Sequence, residues 1–208
     1  MNNLDFRFGK SCIFTLVFAL FLLWGGNYLF PLNIGSWRLD KIIEQLQSFM
    51  LLAIAVHTFI YAQRYGKHSH TRKFWYWTLL WWFVIFGRGI SWGREFYPQV
   101  PPIIYRIISI IIIGAPIITM FFPAIRRQIY YRFWFQKIPV WNVILAFLFL
   151  GISDIIEHHR VGVNFLLCSS ERQDLLEELM EVPCFLSLIF VVLFLQRNEH
   201  NTESNKTC

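Results

Sequence analysis

Four ionisable side chains interrupt long apolar runs in this sequence. Two are cations, Arg88 and Arg106, and two are anions, Asp154 and Glu181. An ionisable group inside such a run is costly in lipid, and it marks an ion pair, a ligand site or a proton path. The distribution of basic residues predicts which end of each run is cytoplasmic. Each of the four residues lies about 21 to 24 Å from that end, at about 1.5 Å per helical residue. We therefore predict a charged layer at one common height.

Further polar residues collect beside this layer. Asp154, Glu157 and His158 follow i, i+3, i+4 spacing, so a helix places them on one face. Glu178 and Glu181 are about one turn apart on the last run. Together with the basic residues and one hydroxyl, they form the predicted set for ligand binding or ion pairing, which is Arg88, Ser91, Arg94, Arg106, Asp154, Glu157, His158, Glu178 and Glu181.

Residues 88–94 read R-G-I-S-W-G-R. This run resembles the R-E-x-S-W-G-R motif of a functionally uncharacterised family of small bacterial inner-membrane proteins. Members of that family also carry acidic pairs in the last helix, as Glu177 and Glu178 do here. The resemblance implies a bacterial inner membrane and no particular activity. Gly89 stands where the motif has its acidic residue, so no role for that carboxylate carries over.

Three interpretations of the charged layer stay open. In one, Asp154 and Glu181 neutralise the two arginines, and the layer belongs to a structural or assembly subunit whose charges only fix helix packing. In another, Arg88 and Arg106 clamp an anionic small molecule or lipid headgroup that enters from outside, because the guanidinium fork matches carboxylate and phosphate. A third makes the acidic residues and histidines the metal site of an intramembrane hydrolase.

Binding or transport of an anion is the function that we predict from this layer. The hydrolase is disfavoured because the adjacent His158 and His159 point about 100° apart on a helix, which is a poor geometry for chelation. The metal ligands of that interpretation would be Glu157, His158 and His159. The sequence contains no Walker loop, dinucleotide fingerprint, nucleophile elbow or haem-attachment motif, so we predict neither a cofactor nor a resident metal.

Apolar runs must position these residues. Of the 208 residues, 56% are hydrophobic and 15% are charged, against about 25% charged in an ordinary soluble domain. Runs of about 17 to 21 residues can cross the hydrocarbon core, and they must be helical because an open strand in lipid leaves its backbone unpaired. We therefore predict an all-α, polytopic membrane bundle over residues 1–196 without a soluble domain. Its six spans are residues 12–32, 46–63, 74–90, 102–122, 138–156 and 176–196, followed by a disordered cytoplasmic tail at 197–208.

Basic residues predict the orientation of these spans. With the amino terminus inside, the inner segments hold twelve of the 19 Lys and Arg residues and the outer loops hold five. Short basic loops remain on the cytoplasmic side, so we predict both termini there, in a bacterial inner membrane. The predicted partners are the bilayer and its anionic headgroups, which attract the basic inner loops. This explains the net charge of +6 without a nucleic-acid partner.

Fusion reporters test this orientation. With alkaline phosphatase at the carboxyl terminus we expect no phosphatase activity in whole cells, and a fluorescent protein at the same position should fluoresce, because the terminus is predicted to stay inside. Strong phosphatase activity would contradict the orientation.

Overall fold

The computed structural model describes residues 4–28, 36–65, 69–90, 92, 97, 99–158 and 173–207, and within them the chain forms seven helices and two very short strands. In chain order these are β1 (Leu4–Asp5), α1 (Lys10–Tyr28), α2 (Ser36–Tyr65), α3 (Ser69–Gly89), α4 (Pro102–Met120), α5 (Pro123–Phe135), β2 (Ile138–Pro139), α6 (Val140–Glu157) and α7 (Gln173–Thr207). The all-α class is therefore confirmed.

Five of the described helices are long and apolar enough to cross a membrane: α1, α2, α4, α6 and α7. Each coincides with a predicted span. The predicted span at 74–90 is also a continuous helix, α3, with 21 residues. It does not reach the same hydropathy, since Arg72, Lys73, Arg88 and several indole rings lie within it.

Helices α2 and α7 extend furthest beyond their predicted spans. Helix α2 starts at Ser36, well before residue 46, and α7 continues to Thr207 instead of ending at Gln196. The segment 197–207, for which composition predicts a disordered tail, is thus helical in the structure. Adding residues to an existing helix is much easier than nucleating one, so a polar segment can continue a helix that packing holds in place.

Two compact units divide the chain, whereas the apolar runs alone predict a single bundle. Unit 1 comprises Met1–Gln45 and Lys137–Cys208, and unit 2 comprises Leu46–Gln136. In unit 1, α7 packs most extensively against α6 and also against α1. In unit 2, α3 packs against α4 and α5. Hydropathy locates spans, but it carries no information about which spans pack together.

The core of unit 1 lies where α6 meets α7. Ile156 of α6 packs with a group on α7 that repeats at helical spacing, namely Leu175, Leu176, Leu179 and Met180. Helix α1 reaches this group through Gly26. A Cβ at this glycine would lie 2.5 Å from Leu176 Cδ2 and 2.9 Å from Leu179 Cδ1, so the missing side chain allows the close approach.

In unit 2, α5 is attached to α3 by a buried cation. Arg132 is 4% exposed, and its guanidinium carbon lies 3.9 Å from the ring centre of Phe74 and 5.1 Å from that of Trp75. Its Nη1 donates to Gln136 Oε1 at 2.9 Å. Stacking on two aromatic rings compensates part of the lost hydration of this cation, which is how a strongly basic helix packs against an aromatic one.

A pair of glycine substitutions tests the packing of α1 on α7. Gly26→Ala should destabilise the protein by about 1 to 3 kcal/mol, because Leu176 and Leu179 are buried and have little room to move. Gly151→Ala is the matched control, since nothing lies within 4 Å of its added Cβ, and it should be neutral or stabilising. Thermal unfolding of the two variants measures the difference, and equal melting temperatures would contradict this packing.

Candidate functional site

The residues of the predicted charged layer fall into both units. Arg88 and Arg106 belong to unit 2, on α3 and α4. The acidic members and His158 belong to unit 1, on α6 and α7: Asp154, Glu157, Glu178 and Glu181. Three predicted positions, Ser91, Arg94 and His159, lie outside the described residues.

A hydrogen bond sets the register of the two helices that carry the arginines. Trp77 Nε1 on α3 donates to the carbonyl oxygen of Pro116 on α4 at 3.0 Å. Arg88 lies about 16 Å from Trp77 along α3, and Arg106 lies about 15 Å from Pro116 along α4. Successive packed helices run in opposite directions, so the two arginines lie at nearly the same height. Both side chains are exposed.

Charge is distributed very unevenly between the units. Residues 46–136 of unit 2 contain ten Lys and Arg residues and one acidic residue, Glu95, which gives a net charge of +9. The remaining nine basic and twelve acidic residues give unit 1 a net charge of −3. The two arginines thus belong to a strongly cationic part of the chain, and the acidic residues of the layer belong to the other part.

A shared cavity at one end of α6 and α7 and two hydrogen bonds at the other indicate the height of the acidic residues. At one end Asn142 and Leu193 line the same cavity, and Asp154 and Glu181 each lie about 18 Å from these residues along their helices. At the other end Gln173 Nε2 donates to the carbonyl oxygens of Ile156 and Glu157, at 3.1 and 2.9 Å. Between these limits, Asp154 is level with the stretch of α7 that carries Glu178 and Glu181.

Three side chains gather where α6 ends. His158 Nδ1 lies 3.4 Å from Asp154 Oδ1 and 3.6 Å from Glu157 Oε2, so the spacing predicted from the sequence is realised on one helical face. One ligand atom from each residue lies within 4.8 Å of the others. Their side chains are 42 to 53% exposed. Two carboxylates and one imidazole can hold a zinc or manganese ion, or they can form a solvated polar cluster without a metal.

Asn142 is a functional candidate that the sequence analysis missed. It lies inside the predicted span 138–156 and is only 3% exposed. Its Oδ1 accepts hydrogen bonds from Ser11 Oγ at 3.3 Å and from Cys12 Sγ at 2.9 Å. The criterion that selected the charged residues, a polar group inside an apolar run, would have found Asn142 had it been applied to neutral amides.

The chain matches no protein-family model, no curated protein and no solved structure. Its helices and charged groups are therefore the basis on which a function can be proposed.

Elemental analysis tests the cluster of Asp154, Glu157 and His158. We expect substoichiometric transition metal in the purified protein, because the three groups come from a single exposed helix end with no further acidic or histidine ligand among the described residues. One metal ion per chain that is lost on His158→Ala, and retained on the control substitution His57→Ala, would contradict this expectation and favour the hydrolase.

Proposed function

We propose that this chain is an integral membrane protein of the bacterial inner membrane that binds or transports an anionic small molecule or lipid headgroup through Arg88 and Arg106. The exposed apolar surface supports a membrane location. Only Tyr105 and Pro116 of α4 are buried, and its exposed side chains include Ile103, Ile110 and Ile118. Lipid tails are the natural cover for an apolar helix surface of this length.

In this proposal α3 is the sixth span, and both termini are cytoplasmic. A helix that carries Arg72, Lys73 and Arg88 is expected to be less apolar than α4, whose only charged residue is Arg106. The aromatic residues at the Phe74 end of α3 fit an interfacial position. The bacterial origin rests on the resemblance of residues 88–94 to the family motif.

The observation that carries the anion site is the position of two arginines at one height in a unit of net charge +9. Such a region attracts anions and raises their local concentration. A guanidinium presents a rigid fork of donors, and two forks at one height can hold a carboxylate or phosphate from two sides. The structural or assembly role is the alternative. In that case any stable cation suffices, because nothing but helix packing depends on the charges.

A second candidate function is the metal-dependent hydrolase. The observation that favours it is the approach of Asp154, Glu157 and His158 to one another within 4.8 Å. A metal ion held there would activate a water molecule for attack on an ester bond of a lipid or on a peptide bond. Metal content distinguishes this candidate from the anion site, which requires no metal.

Lysine substitutions separate an anion clamp from a packing role. In phosphatidylcholine nanodiscs we expect the wild-type protein to bind inorganic phosphate or succinate, measured by calorimetry. Anionic headgroups are tested by repeating these titrations in discs that contain phosphatidylglycerol, whose headgroups compete with the added anion for the site. Arg88→Lys and Arg106→Lys should keep the protein folded and weaken binding at least about tenfold, because a lysine keeps the charge and loses the fork.

Arg126→Lys is the matched control, since Arg126 is an exposed arginine of the same unit on α5. It should bind as the wild type does. If both lysine variants also bind as the wild type does, or if neither probe binds, the clamp is wrong and the packing role is favoured.

A further inference from the structure

Unit 1 contains a cavity of about 270 Å³ that is separate from the charged layer. It lies where α1 and α6 begin and where the second half of α7 passes them. We call it the basal cavity and define it by five polar lining residues, Asp5, Arg7, Ser11, Asn142 and Arg197. A cavity of this volume can hold a headgroup that contains phosphate and is too small for a whole lipid.

The chain before α1 forms a fixed wall of this cavity. β1 pairs in parallel with β2, with Leu4 opposite Ile138. Trp141 Nε1 donates to the carbonyl oxygen of Phe6 at 2.9 Å, and the Trp141 ring packs edge-on against Phe8 at 5.5 Å. These contacts hold the segment that carries Asp5 and Arg7 across the start of α6. The cavity is therefore preformed, which lowers the entropic cost of binding a ligand.

Asn142 provides a buried donor in the cavity wall. Ser11 and Cys12 occupy its carbonyl oxygen, while its Nδ2 has no hydrogen-bond partner among the described residues. Buried amide donors are nearly always satisfied in folded proteins, by protein groups, water or a ligand. An oxygen of a bound molecule would complete the hydrogen bonding of Asn142.

The charges of the cavity favour an anion. Arg7 and Arg197 supply two positive charges against the one negative charge of Asp5. One oxygen of that carboxylate accepts a hydrogen bond from the backbone N–H of Arg7 at 3.0 Å. Helix α1 begins at Lys10, and the positive end of its dipole adds to the field of the arginines.

The remaining wall is apolar. Phe190, Leu193 and Phe194 of α7 line it, and Leu193 is exposed next to the cavity. The arginine side of the cavity thus adjoins an exposed apolar helix surface. This arrangement suits an amphiphilic ligand with an anionic headgroup and an apolar tail. A free anion would leave the apolar wall without a partner.

We propose that the basal cavity binds the phosphodiester headgroup of an anionic phospholipid. Arg7 and Arg197 hold the phosphate oxygens, Asn142 Nδ2 donates to a glycerol or ester oxygen, and the acyl chains leave across Leu193. This site shares no residue with the anion site of Arg88 and Arg106. Basic loops attract any anionic membrane surface, whereas this site binds one headgroup through the side chains of Arg7, Arg197 and Asn142.

Native mass spectrometry of the full chain in detergent tests the site. The protein is titrated with phosphatidylglycerol and, separately, with phosphatidylcholine of the same acyl chains. We expect retention of phosphatidylglycerol at least about tenfold stronger than that of phosphatidylcholine, because both lipids carry the phosphodiester but the choline cation would lie beside Arg7 and Arg197. Arg7→Gln, Arg197→Gln and Asn142→Asp should each remove most of this preference. The last variant keeps the acceptor for Ser11 and Cys12 and replaces the donor by a carboxylate.

Control variants make each outcome decisive. Arg127→Gln, an exposed arginine on α5, removes the same charge outside the cavity and should keep the preference. All variants are also made in the Arg106→Lys background, in which phosphatidylglycerol binding at the anion clamp is weakened, so that the remaining preference reports on the basal cavity. Because Asn142→Asp introduces a buried charge, the two exposed arginine variants decide the result if it fails to fold. The proposal is overturned if both lipids bind equally, if Arg127→Gln loses the preference to the same extent as Arg7→Gln and Arg197→Gln, or if free phosphate displaces the lipid as effectively as added phosphatidylglycerol.

Discussion

In the proposed membrane location, an arginine on a lipid-length helix must be neutralised or hydrated, and the anion site depends on this constraint. Placing such a charge at the centre of a membrane helix costs about 2.5 to 3.5 kcal/mol on insertion scales, and the cost is smaller near helix ends, where Arg88 and Arg106 lie. Arg88 and Arg106 lie at one height on two helices that Trp77 and Pro116 hold in register. Two arginines at one level concentrate positive potential there, and an anion bound as we propose would lower the energy of both.

The distribution of the other charges follows a pattern. Unit 2 contains one acidic residue, and its buried Arg132 stacks on Phe74 and Trp75. Unit 1 holds nearly all the carboxylates, and its helices pack through small and aliphatic residues such as Gly26 and Ile156. One unit thus has a surplus of donors for anions, and the other has a surplus of acceptors.

Much of this architecture could be predicted from the sequence because lipid imposes a simple rule on composition. A long apolar run must be a helix, and five runs were located correctly on that basis. The face shared by Asp154, Glu157 and His158 followed from helical spacing alone. The division into two units could not be predicted, since packing partners depend on contacts between distant segments such as Gly26 and Leu176.

The basal cavity was not predictable for a related reason. Its residues come from three parts of the chain, and its wall depends on the pairing of Leu4 with Ile138 and on the hydrogen bond from Trp141 to Phe6. None of these contacts has a sequence signature. The one feature of the cavity that the sequence displays is Asn142, a neutral polar residue inside an apolar run. Its amide is a buried hydrogen-bond donor and carries no charge.

The most direct test of the anion site is an experimental structure of the full chain in nanodiscs that contain anionic lipid. The account predicts density for a phosphate or carboxylate group within about 3 Å of the guanidinium groups of both Arg88 and Arg106. Density showing that both guanidinium groups bind only carboxylates of the protein would contradict the anion site. The charged layer would then serve only to fix helix packing.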